Sequence, residues 1–206
     1  MKFYYYLKCL FDFVGAAVLL VLAIPLFFLI GLGILITMGR PILFIQNRGG
    51  FHNKIFKIYK FRTMKLPSQV AVGAKEKVRL TRFGNWIRVL SLDELPQLLN
   101  ILLGNMSFIG PRPLLAEYLH DYSKFQKIRH SVKPGITGWA QVNGRNSLTW
   151  KQRFKLDFWY VKNYSVWLDT YILFRTFVVV LNRVGLYTPD GEIMPNFKGK
   201  IKEKEA

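Results

Sequence analysis

The sequence is poor in the side chains that build disulfide frameworks and soft-metal sites. Its 206 residues include one cysteine, Cys9, and three histidines that lie far apart in the chain. Because a lone cysteine cannot form an internal disulfide, the chain fits a reducing compartment. Scattered histidines argue against a zinc-type site, so any divalent ion would be a hard one held by oxygen atoms.

Acidic side chains are also scarce. There are 12 Asp and Glu residues against 30 Lys and Arg, which gives a formal net charge of +18. Such an excess indicates a polyanionic partner, and nucleic acid, anionic lipid and a phosphate-rich substrate are the three candidates. A hydrophobic content of 51% and an aromatic content of 16% are unlike a basic nucleic-acid-binding tail. The length suits one compact domain with an appendage.

Charge is absent altogether from residues 13–39, a run of 27 residues. As a straight helix this run would be roughly 40 Å long, which is enough to span a bilayer. Pro25 lies near its midpoint, where proline removes a backbone donor and kinks a helix. Basic residues flank both ends, so both ends prefer the cytoplasm under the positive-inside rule. We predict a helix broken at Pro25 that enters one leaflet and returns; an ordinary kinked transmembrane helix is the alternative.

The pattern after residue 40 predicts a short β-hairpin followed by helices. Residues 41–48 and 54–64 are β-branched, aromatic and partly alternating, with a turn-like GGFHN between them. A polar loop is expected at 65–80, and helical patterns follow at 81–90, 93–103, 114–130, 149–164 and 166–184. The last two patterns are amphipathic and rich in Trp, Tyr, Lys and Arg. They suit helices in the lipid headgroup plane or, equally, helices that cover a soluble core.

The stretch RVLSLDELPQLLN (88–100) holds the one pair of adjacent acids in the chain, Asp93 and Glu94. Ser91 and Glu94 have the spacing of a capping box, in which Ser91 would begin a helix and Glu94 would reach back to it. A carboxylate in a first helical turn stays ionised, as a nucleophile or a Mg²⁺ ligand must be. Several arginines flank the pair in sequence, so a plain salt-bridge network is equally open.

Two further segments are suited to binding phosphate. GNMSFIGPRP (104–113) places Arg112 between two prolines, whose fixed backbone angles would present its guanidinium rigidly. VKPGITGWAQVNGRN (132–146) is a glycine-rich loop that could turn backbone N–H groups toward an anion, with Arg145 beside it. Each feature alone is weak, because a glycine-rich loop is usually only a turn. Their succession after the acid pair predicts a phosphate-handling site.

Together these segments resemble a known family. YKFRTM (59–64), SLDELPQLLN (91–100), GNMSFIGPRP (104–113) and KPGITGWAQVNGR (133–145), behind a hydrophobic segment interrupted by proline, are similar to the motifs of the bacterial sugar transferase family. Its members of this kind are monotopic polyprenol-phosphate phosphoglycosyl transferases. The resemblance extends from the N-terminal segment to about Arg183. The chain is most similar to minimal members, in particular to those that start bacterial protein N-glycosylation by transferring diacetylbacillosamine phosphate.

The resemblance implies a reaction and its partners. A sugar 1-phosphate would pass from a UDP-sugar to undecaprenyl phosphate with release of UMP, at the cytoplasmic face of the bacterial inner membrane. Asp93 matches the nucleophile, which would form a covalent aspartyl phospho-sugar in a ping-pong mechanism, and Glu94 matches the carboxylate that holds Mg²⁺. Membrane lipid is expected as a partner and nucleic acid is not. Contacts with downstream glycosyltransferases and an oligomeric state are left open.

The resemblance also assigns substrate-binding residues. Arg112 matches the phosphate-binding arginine of the family, and Arg145 lies in the loop associated with the nucleotide sugar. Lys60 and Arg88 match basic positions that line the site. Supporting positions with less defined roles are Asp157, Tyr160 and Asp169.

The expected fold is an α-rich α+β membrane protein with three parts. A re-entrant membrane helix occupies 1–40, a catalytic domain with amphipathic interfacial helices around a compact cytoplasmic core occupies 41–197, and a basic, disordered tail occupies 198–206. Two features depart from the family. Ile24 stands where relatives often have a serine that satisfies the backbone freed by Pro25, and loop 65–80 is poorer in acids. The second departure leaves the sugar preference open.

Three alternatives remain at the level of sequence. The UDP-sugar could carry N-acetylgalactosamine, N-acetylglucosamine or galactose, for O-antigen, capsule or exopolysaccharide synthesis. A transferase that moves the sugar without its phosphate would release UDP instead of UMP. A non-enzymatic, membrane-tethered anion-binding protein would use the net charge of +18 alone and would not need an ordered Asp93–Glu94 pair.

Overall fold

A computed structural model describes residues 2–69, 76–182 and 197 of the chain. The α-helices within these ranges are α1 (Lys2–Met38), α2 (Glu76–Arg79), α3 (Arg82–Val89), α4 (Gln97–Leu102), α5 (Lys124–Lys127), α6 (Trp139–Val142), α7 (Trp150–Asn163) and α8 (Val166–Leu181). The strands are β1 (Leu43–Gly49), β2 (Ile55–Phe61), β3 (Ser107–Ile109) and β4 (Gly135–Thr137). The predicted helix-rich class with a small β content is confirmed.

The predicted hairpin is present as an antiparallel β1–β2 pair, with Leu43 opposite Phe61 and Gly49 opposite Ile55. Its sequence alternates because one face of the pair is buried. Phe56 and Ile58 of β2 lie in a core cluster with residues of α4. The hairpin therefore places the end of β2 beside the helix that follows the acid pair.

The second sheet lies where the sequence indicated only loops. β3 and β4 are parallel, with Ser107 paired to Gly135 and Ile109 paired to Thr137. A Cβ atom on Gly135 would lie 2.1 Å from the backbone nitrogen of Gly110, so only glycine permits this approach. The parallel pairing brings the segment after β3 and the glycine-rich loop after β4 to the same edge of the sheet.

Helix α1 has 37 residues and is helical on both sides of Pro25. The predicted interruption of the helix at Pro25 is therefore wrong, because proline removes one backbone hydrogen bond and the segment on either side stays helical. The return of the helix within one leaflet stays a prediction. The segment from Phe3 to Met38 is long and apolar enough to cross a membrane, judged by length and composition.

Both halves of α1 pack against the same domain. In the first half, Asp12 accepts a hydrogen bond of 3.0 Å from the backbone N–H of Phe108, and Lys8 forms an ion pair with Asp169 of α8. In the second half, side chains of α1 share a core cluster with β2 and α3, formed by Ile30, Ile34, Met38, Phe61 and Ile87. Large apolar side chains on other positions of the helix are exposed, among them Phe3, Phe11, Leu22, Phe28 and Ile36.

Three predicted helical patterns are confirmed and two are corrected. Helices α3, α7 and α8 lie within the ranges predicted for them. The pattern at 93–103 is divided between the 3-10 helix Leu92–Glu94 and α4, with Pro96 before α4. The pattern at 114–130 is divided into the 3-10 helix Ala116–His120, α5 and the 3-10 helix Ile128–Ser131, because Ser123 begins a new helix through a capping box with Gln126.

Helix α8 exposes much of its apolar surface. Trp167 is 85% exposed, and Phe174 and Phe177 are exposed as well, whereas Asp169 is buried. Such a surface fits the predicted headgroup-plane helix better than a helix that covers a soluble core. Residues 70–75 of the predicted loop 65–80 and the predicted tail 198–206 lie outside the described residues.

Candidate active site

Asp93 and Glu94 lie in a three-residue 3-10 helix, Leu92–Glu94, between α3 and α4. The predicted capping box is wrong. Ser91 has a φ of 57°, in the left-handed region, and its side chain makes no capping hydrogen bond within the part of the chain that the structure describes. The reason is that the Glu94 side chain is directed to two cations instead of to the Ser91 backbone.

Glu94 is held by cations from two separate elements. Its Oε1 atom lies 2.7 Å from Lys60 Nζ and 2.6 Å from Arg112 Nη2, while Arg112 Nη1 is 3.5 Å from Oε2. Burial alone would raise the pKa of the Glu94 carboxyl, but the charges of Arg112 and Lys60 outweigh it and hold the pKa well below its usual range. Glu94 is therefore a fixed anion.

Asp93 has the opposite electrostatic environment. It is 9% exposed, and burial together with the charge of Glu94 raises its pKa to about 6. The charges of Lys60, Arg88 and Arg112 counteract this rise. Because the local helix has only three residues, these cations, rather than a long helix dipole, keep Asp93 mostly ionised at neutral pH.

Arg112 is positioned through its backbone as well as its side chain. Its carbonyl oxygen accepts a hydrogen bond of 2.6 Å from Arg129 Nη2, and Arg129 forms a buried ion pair of 2.9 Å with Asp157. A second arginine, Arg48, donates to the carbonyl of Pro113 at 3.3 Å. Sequence reasoning did not find Arg129 or Arg48. No local motif marks their role at the site, because the residues through which they reach it, Pro113 for Arg48 and Arg112 and Asp157 for Arg129, lie far along the chain.

A small cavity adjoins Arg112 at the edge of the second sheet. Its volume is about 60 Å³, and it is lined by Arg112, Ala140, Gln141, Arg145, Asn146, Arg153 and Asp157. Arg145 has a φ of 50° and follows Gly144, whose φ of 145° is suited to glycine. The parallel pairing of β3 and β4 thus brings the two predicted phosphate-binding arginines to one cavity.

The three supporting residues fall into two places. Asp157 lines the cavity and pairs with Arg129. Tyr160 and Asp169 belong to a separate buried group, in which the Tyr160 hydroxyl donates to Asp169 Oδ1 at 2.8 Å and Tyr4 of α1 donates to Oδ2. The two residues of α7 therefore have different roles. Asp157 faces the cavity, whereas Tyr160 bonds Asp169 of α8, which also binds Tyr4 of α1.

The carboxylates could hold a hard metal ion only together with other oxygen ligands. Among residues 2–69, 76–182 and 197, there is no cluster of three or more His, Cys, Asp or Glu residues that could hold a metal. Glu94 Oε1 is already bound by Lys60 and Arg112, whereas Oε2 has only the 3.5 Å contact. Mg²⁺ commonly takes one or two carboxylates and completes its shell with water and substrate phosphates. Oε2 of Glu94 fits that mode of binding as one carboxylate ligand.

Comparison with known proteins identifies the family. A model of the family described as bacterial sugar transferase matches residues 3–183. The chain belongs to that family. The predicted family and the prediction of an enzyme are thereby confirmed, and a non-enzymatic anion-binding protein is disfavoured.

Relatives of this sugar transferase carry different names. An uncharacterized sugar transferase of Bacillus subtilis, EpsL, is 46% identical over 195 residues, which cover 94% of this chain and 96% of that protein. The undecaprenyl-phosphate glucose phosphotransferase of Komagataeibacter xylinus is 41% identical over 184 residues, or 82% of this chain and 35% of that protein. The undecaprenyl-phosphate galactose phosphotransferase of Salmonella typhimurium is 40% identical over 200 residues, or 88% and 42%. This chain thus spans less than half the length of the last two proteins.

Proposed function

We propose that this sugar transferase moves a sugar 1-phosphate from a UDP-sugar to undecaprenyl phosphate and releases UMP. The names of the two longer relatives support the reaction class. The observation that carries the proposal is the pair of unlike carboxyls: Asp93 is buried with a raised pKa, beside Glu94, which is fixed by Lys60 and Arg112. Neighbouring carboxyls with separated pKa values commonly divide roles in catalysis.

The proposed chemistry has two balanced steps. A carboxylate oxygen of Asp93 attacks the sugar-linked phosphorus of the UDP-sugar, the bond from that phosphorus to the bridging oxygen breaks, and UMP leaves with the electron pair. An oxygen of undecaprenyl phosphate then attacks the same phosphorus, and the bond to Asp93 breaks to regenerate the carboxylate. Both substrates use one phosphorus-binding position in turn, which gives ping-pong kinetics.

The cations around the pair have two proposed roles. Lys60, Arg88 and Arg112 favour the ionised form of Asp93, which is the nucleophile. They also compensate the charge of the phosphate under attack, and such fixed charges account for most of the catalysis of phosphoryl transfer. Glu94, through Oε2, and the substrate phosphates would hold Mg²⁺, which supplies further charge neutralisation when bound.

We propose further that the protein is monotopic, with its catalytic domain on the cytoplasmic face. Both halves of α1 pack on one domain, through Asp12 near one end and Met38 at the other. A helix that crossed the bilayer would carry one of these halves away from the domain. The exposed apolar side chains of α1 and α8 supply the surface that would enter the lipid.

The sugar is the least constrained part of the proposal. Related proteins are named for glucose, galactose and N-acetylgalactosamine, so the family alone does not select one. Diacetylbacillosamine, with protein glycosylation as the pathway, remains the predicted candidate. Release of UMP measured with a panel of UDP-sugars that includes diacetylbacillosamine identifies the sugar, and release of UDP in place of UMP would contradict transfer of a phospho-sugar.

The covalent intermediate provides the direct test. The protein in detergent or nanodiscs is incubated with a UDP-sugar labelled in the sugar, in the absence of undecaprenyl phosphate. We expect label on the parent protein and none on Asp93→Asn, because an amide is not a nucleophile for phosphorus. Label on Asp93→Asn, or no label on a parent protein that is active with both substrates, would contradict a covalent intermediate on Asp93.

The role of Glu94 is tested through its metal dependence. We expect Glu94→Gln to lose most activity and to require more Mg²⁺ for half-maximal rate, because the amide is a weaker ligand without charge. Glu117→Gln is the control, since Glu117 lies in the 3-10 helix Ala116–His120 outside the acid pair. An unchanged Mg²⁺ response in Glu94→Gln would count against the ligand role.

A further inference from the structure

The cavity beside Arg112 carries an excess of positive charge. Three guanidinium groups line it, from Arg112, Arg145 and Arg153, against one lining carboxylate, from Asp157. That carboxylate is paired with Arg129, which lies behind it. Arg112 is itself paired with Glu94. In the part of the chain that the structure describes, Arg145 and Arg153 form no ion pair of their own, and Arg153 shares the charge of Asp157 with Arg129.

Several polar atoms of this lining are buried without a hydrogen-bond partner among the described residues. They are the donors Arg145 Nη1, Arg153 Nε and Gln141 Nε2 and the acceptors Gln141 Oε1 and Asp157 Oδ2, of which Asp157 Oδ2 lies 2.9 Å from Arg129 Nη2 in an ion pair. A buried donor that bonds neither protein nor ligand is costly, so buried polar groups without protein partners commonly mark a place where a ligand or water binds. Burial also lowers the pKa of Arg153 to about 10, and an entering anion would relieve that cost. Donors predominate in this set, and the matching ligand is an anion rich in acceptor oxygens.

The cavity is connected to the acid pair by Arg112, which lines the cavity while its Nη2 atom bonds Glu94 at 2.6 Å. A diphosphate could therefore place one phosphorus at Asp93 and the other phosphate in the cavity. We propose that this cavity binds the phosphate of the leaving nucleotide, with Arg145, Arg153 and Gln141 as its ligands. The proposal rests on the proposed function and adds Arg153 and Gln141 to its substrate-binding residues.

The phosphate of the lipid acceptor offers the same chemistry, but the lining favours the nucleotide. Ala140 is the one apolar residue among the described residues that line the cavity. A polyprenyl chain would find little apolar surface there beyond Ala140, whereas a nucleoside is polar and can accept hydrogen bonds from amide side chains such as Gln141. The excess of two positive charges also matches the phosphate dianion of UMP.

Two variants test the assignment without removing the acid pair. Gln141→Ala deletes an amide whose Nε2 and Oε1 atoms bond no described residue, so it should leave the fold intact. Arg153→Lys keeps the charge but loses the planar guanidinium fork. The control is Asn143→Ala, which removes an exposed amide just after α6 that donates to the carbonyl of Trp139 and does not line the cavity.

Binding of UMP and of uridine is measured by calorimetry on the full chain, so this readout does not depend on turnover. We expect UMP to bind and uridine to bind far more weakly, and we expect Gln141→Ala and Arg153→Lys each to weaken UMP binding roughly 10-fold, the effect of losing a hydrogen bond to a charged group. Asn143→Ala should bind UMP as the parent does. Equal UMP affinity in all four proteins would overturn the proposal.

The two half-reactions distinguish the nucleotide from the lipid. Formation of the labelled intermediate should require more UDP-sugar in Gln141→Ala and Arg153→Lys, while isolated intermediate should pass its label to undecaprenyl phosphate at the parental rate. Slowed discharge with unchanged labelling would assign the cavity to the lipid phosphate and overturn the proposal. If the parent forms no intermediate, the proposed function fails, and the UMP titration still decides whether the cavity is a nucleotide site.

Discussion

Asp93 and Glu94 are neighbours in the chain, yet their carboxyls have pKa values shifted in opposite directions. The side chain of Glu94 bonds two cations directly, whereas Asp93 is buried and receives only the longer-range effect of Lys60, Arg88 and Arg112. Glu94 is thereby stabilised as an anion, and its charge makes the ionisation of Asp93 harder. Glu94 therefore stays negatively charged near neutral pH, whereas Asp93 loses its charge when the pH falls through about 6.

The raised pKa of Asp93 predicts a gain of stability on its removal. The ionised form is disfavoured in the fold, so its cost is full above pH 6, shrinks between pH 6 and about 4, and is absent below that range. We expect Asp93→Asn to raise the free energy of unfolding at pH 8 by about 1–3 kcal/mol, and so to unfold at a higher temperature than the parent. This gain should disappear toward pH 4. Thermal scans in detergent at both pH values measure the difference.

Glu94→Gln serves as the comparison, with the opposite sign. Its lowered pKa means that Glu94 contributes stability above its ordinary pKa, and that this contribution is lost as the pH falls. The substitution also leaves Lys60 and Arg112 without their anion, so the variant should be less stable than the parent at pH 8. A Glu94→Gln protein as stable as Asp93→Asn at pH 8 would contradict this electrostatic account.

Arg88 predicts a shift in the pH dependence of activity. The rate of labelling at low UDP-sugar should rise with pH through about 6 and then level off, because Asp93, the proposed nucleophile, must be ionised to attack. Arg88 lowers the pKa of Asp93, so in Arg88→Gln the rise should move to higher pH. Arg82→Gln, at an exposed position on the same helix, should keep the parental profile. Equal profiles for the parent and Arg88→Gln would refute the effect.

The sequence predicted which residues belong to the site where a compact motif contains them. It did not predict residues whose side-chain partners lie far away along the chain. The acid pair and Arg112 lie in compact motifs, and the structure places them together. The capping-box prediction failed because the partners of Glu94 are 34 and 18 residues away, on β2 and after β3. Arg129 was missed for the same reason, since its two partners lie in other segments.

Among the elements, those defined by a local pattern were predictable. The β1–β2 hairpin alternates and has a short turn, so the sequence predicted it. The β3–β4 pair has strands of three residues that are far apart in the chain, too short to show a period. The predicted helix at 114–130 failed because apolar spacing continues across Ser123, where a cap begins a new turn.

Two glycines of α1 provide a matched test of how this helix packs. A Cβ atom on Gly33 would lie 2.3 Å from the ring of Phe83 in α3, whereas one on Gly31 would lie 3.8 Å from Ile42. Gly→Ala at either position gains about 1 kcal/mol of helix propensity. At Gly33 the overpacking costs about 1–3 kcal/mol.

We therefore expect Gly31→Ala to stabilise the protein slightly and Gly33→Ala to destabilise it. Unfolding temperatures in detergent measure both, with the two variants as controls for each other. Equal gains at both positions would mean that the ring of Phe83 does not hold a fixed position against Gly33.

The whole molecule combines a net charge of +18 with exposed apolar faces on α1 and α8. Positive charge attracts anionic lipid, and the exposed apolar side chains of α1 and α8 can enter the hydrocarbon layer. Both properties suit the proposed arrangement on one side of a membrane. The uncharged run at 13–39 indicated the apolar face of α1, and the amphipathic pattern at 166–184 was equally consistent with a headgroup-plane helix and with one that covers a soluble core. The uncharged run alone could not distinguish a spanning helix from one that packs back on its own domain, because contacts such as Asp12 with Phe108 join residues far apart in the chain.

Topology is tested with single cysteines in a Cys9→Ser background. Phe3→Cys and Thr37→Cys mark the two ends of α1, and Leu22→Cys marks its exposed middle. In inside-out membrane vesicles, an impermeant maleimide should label both ends, whereas Leu22→Cys should be labelled only after detergent is added. Labelling of the two ends from opposite sides would show a membrane-spanning helix.

The packing of α1 also bears on how the chain is made. Ala16, Ile30 and Ile34 of this helix are buried in core clusters shared with β2, α3 and α4, so the helix is part of the interior of the domain as well as its apolar surface. A chain that begins at residue 41 would expose those clusters and should aggregate instead of giving a water-soluble catalytic fragment. The proposed insertion of α1 into lipid would therefore couple completion of the domain core to delivery of the nascent chain to the membrane.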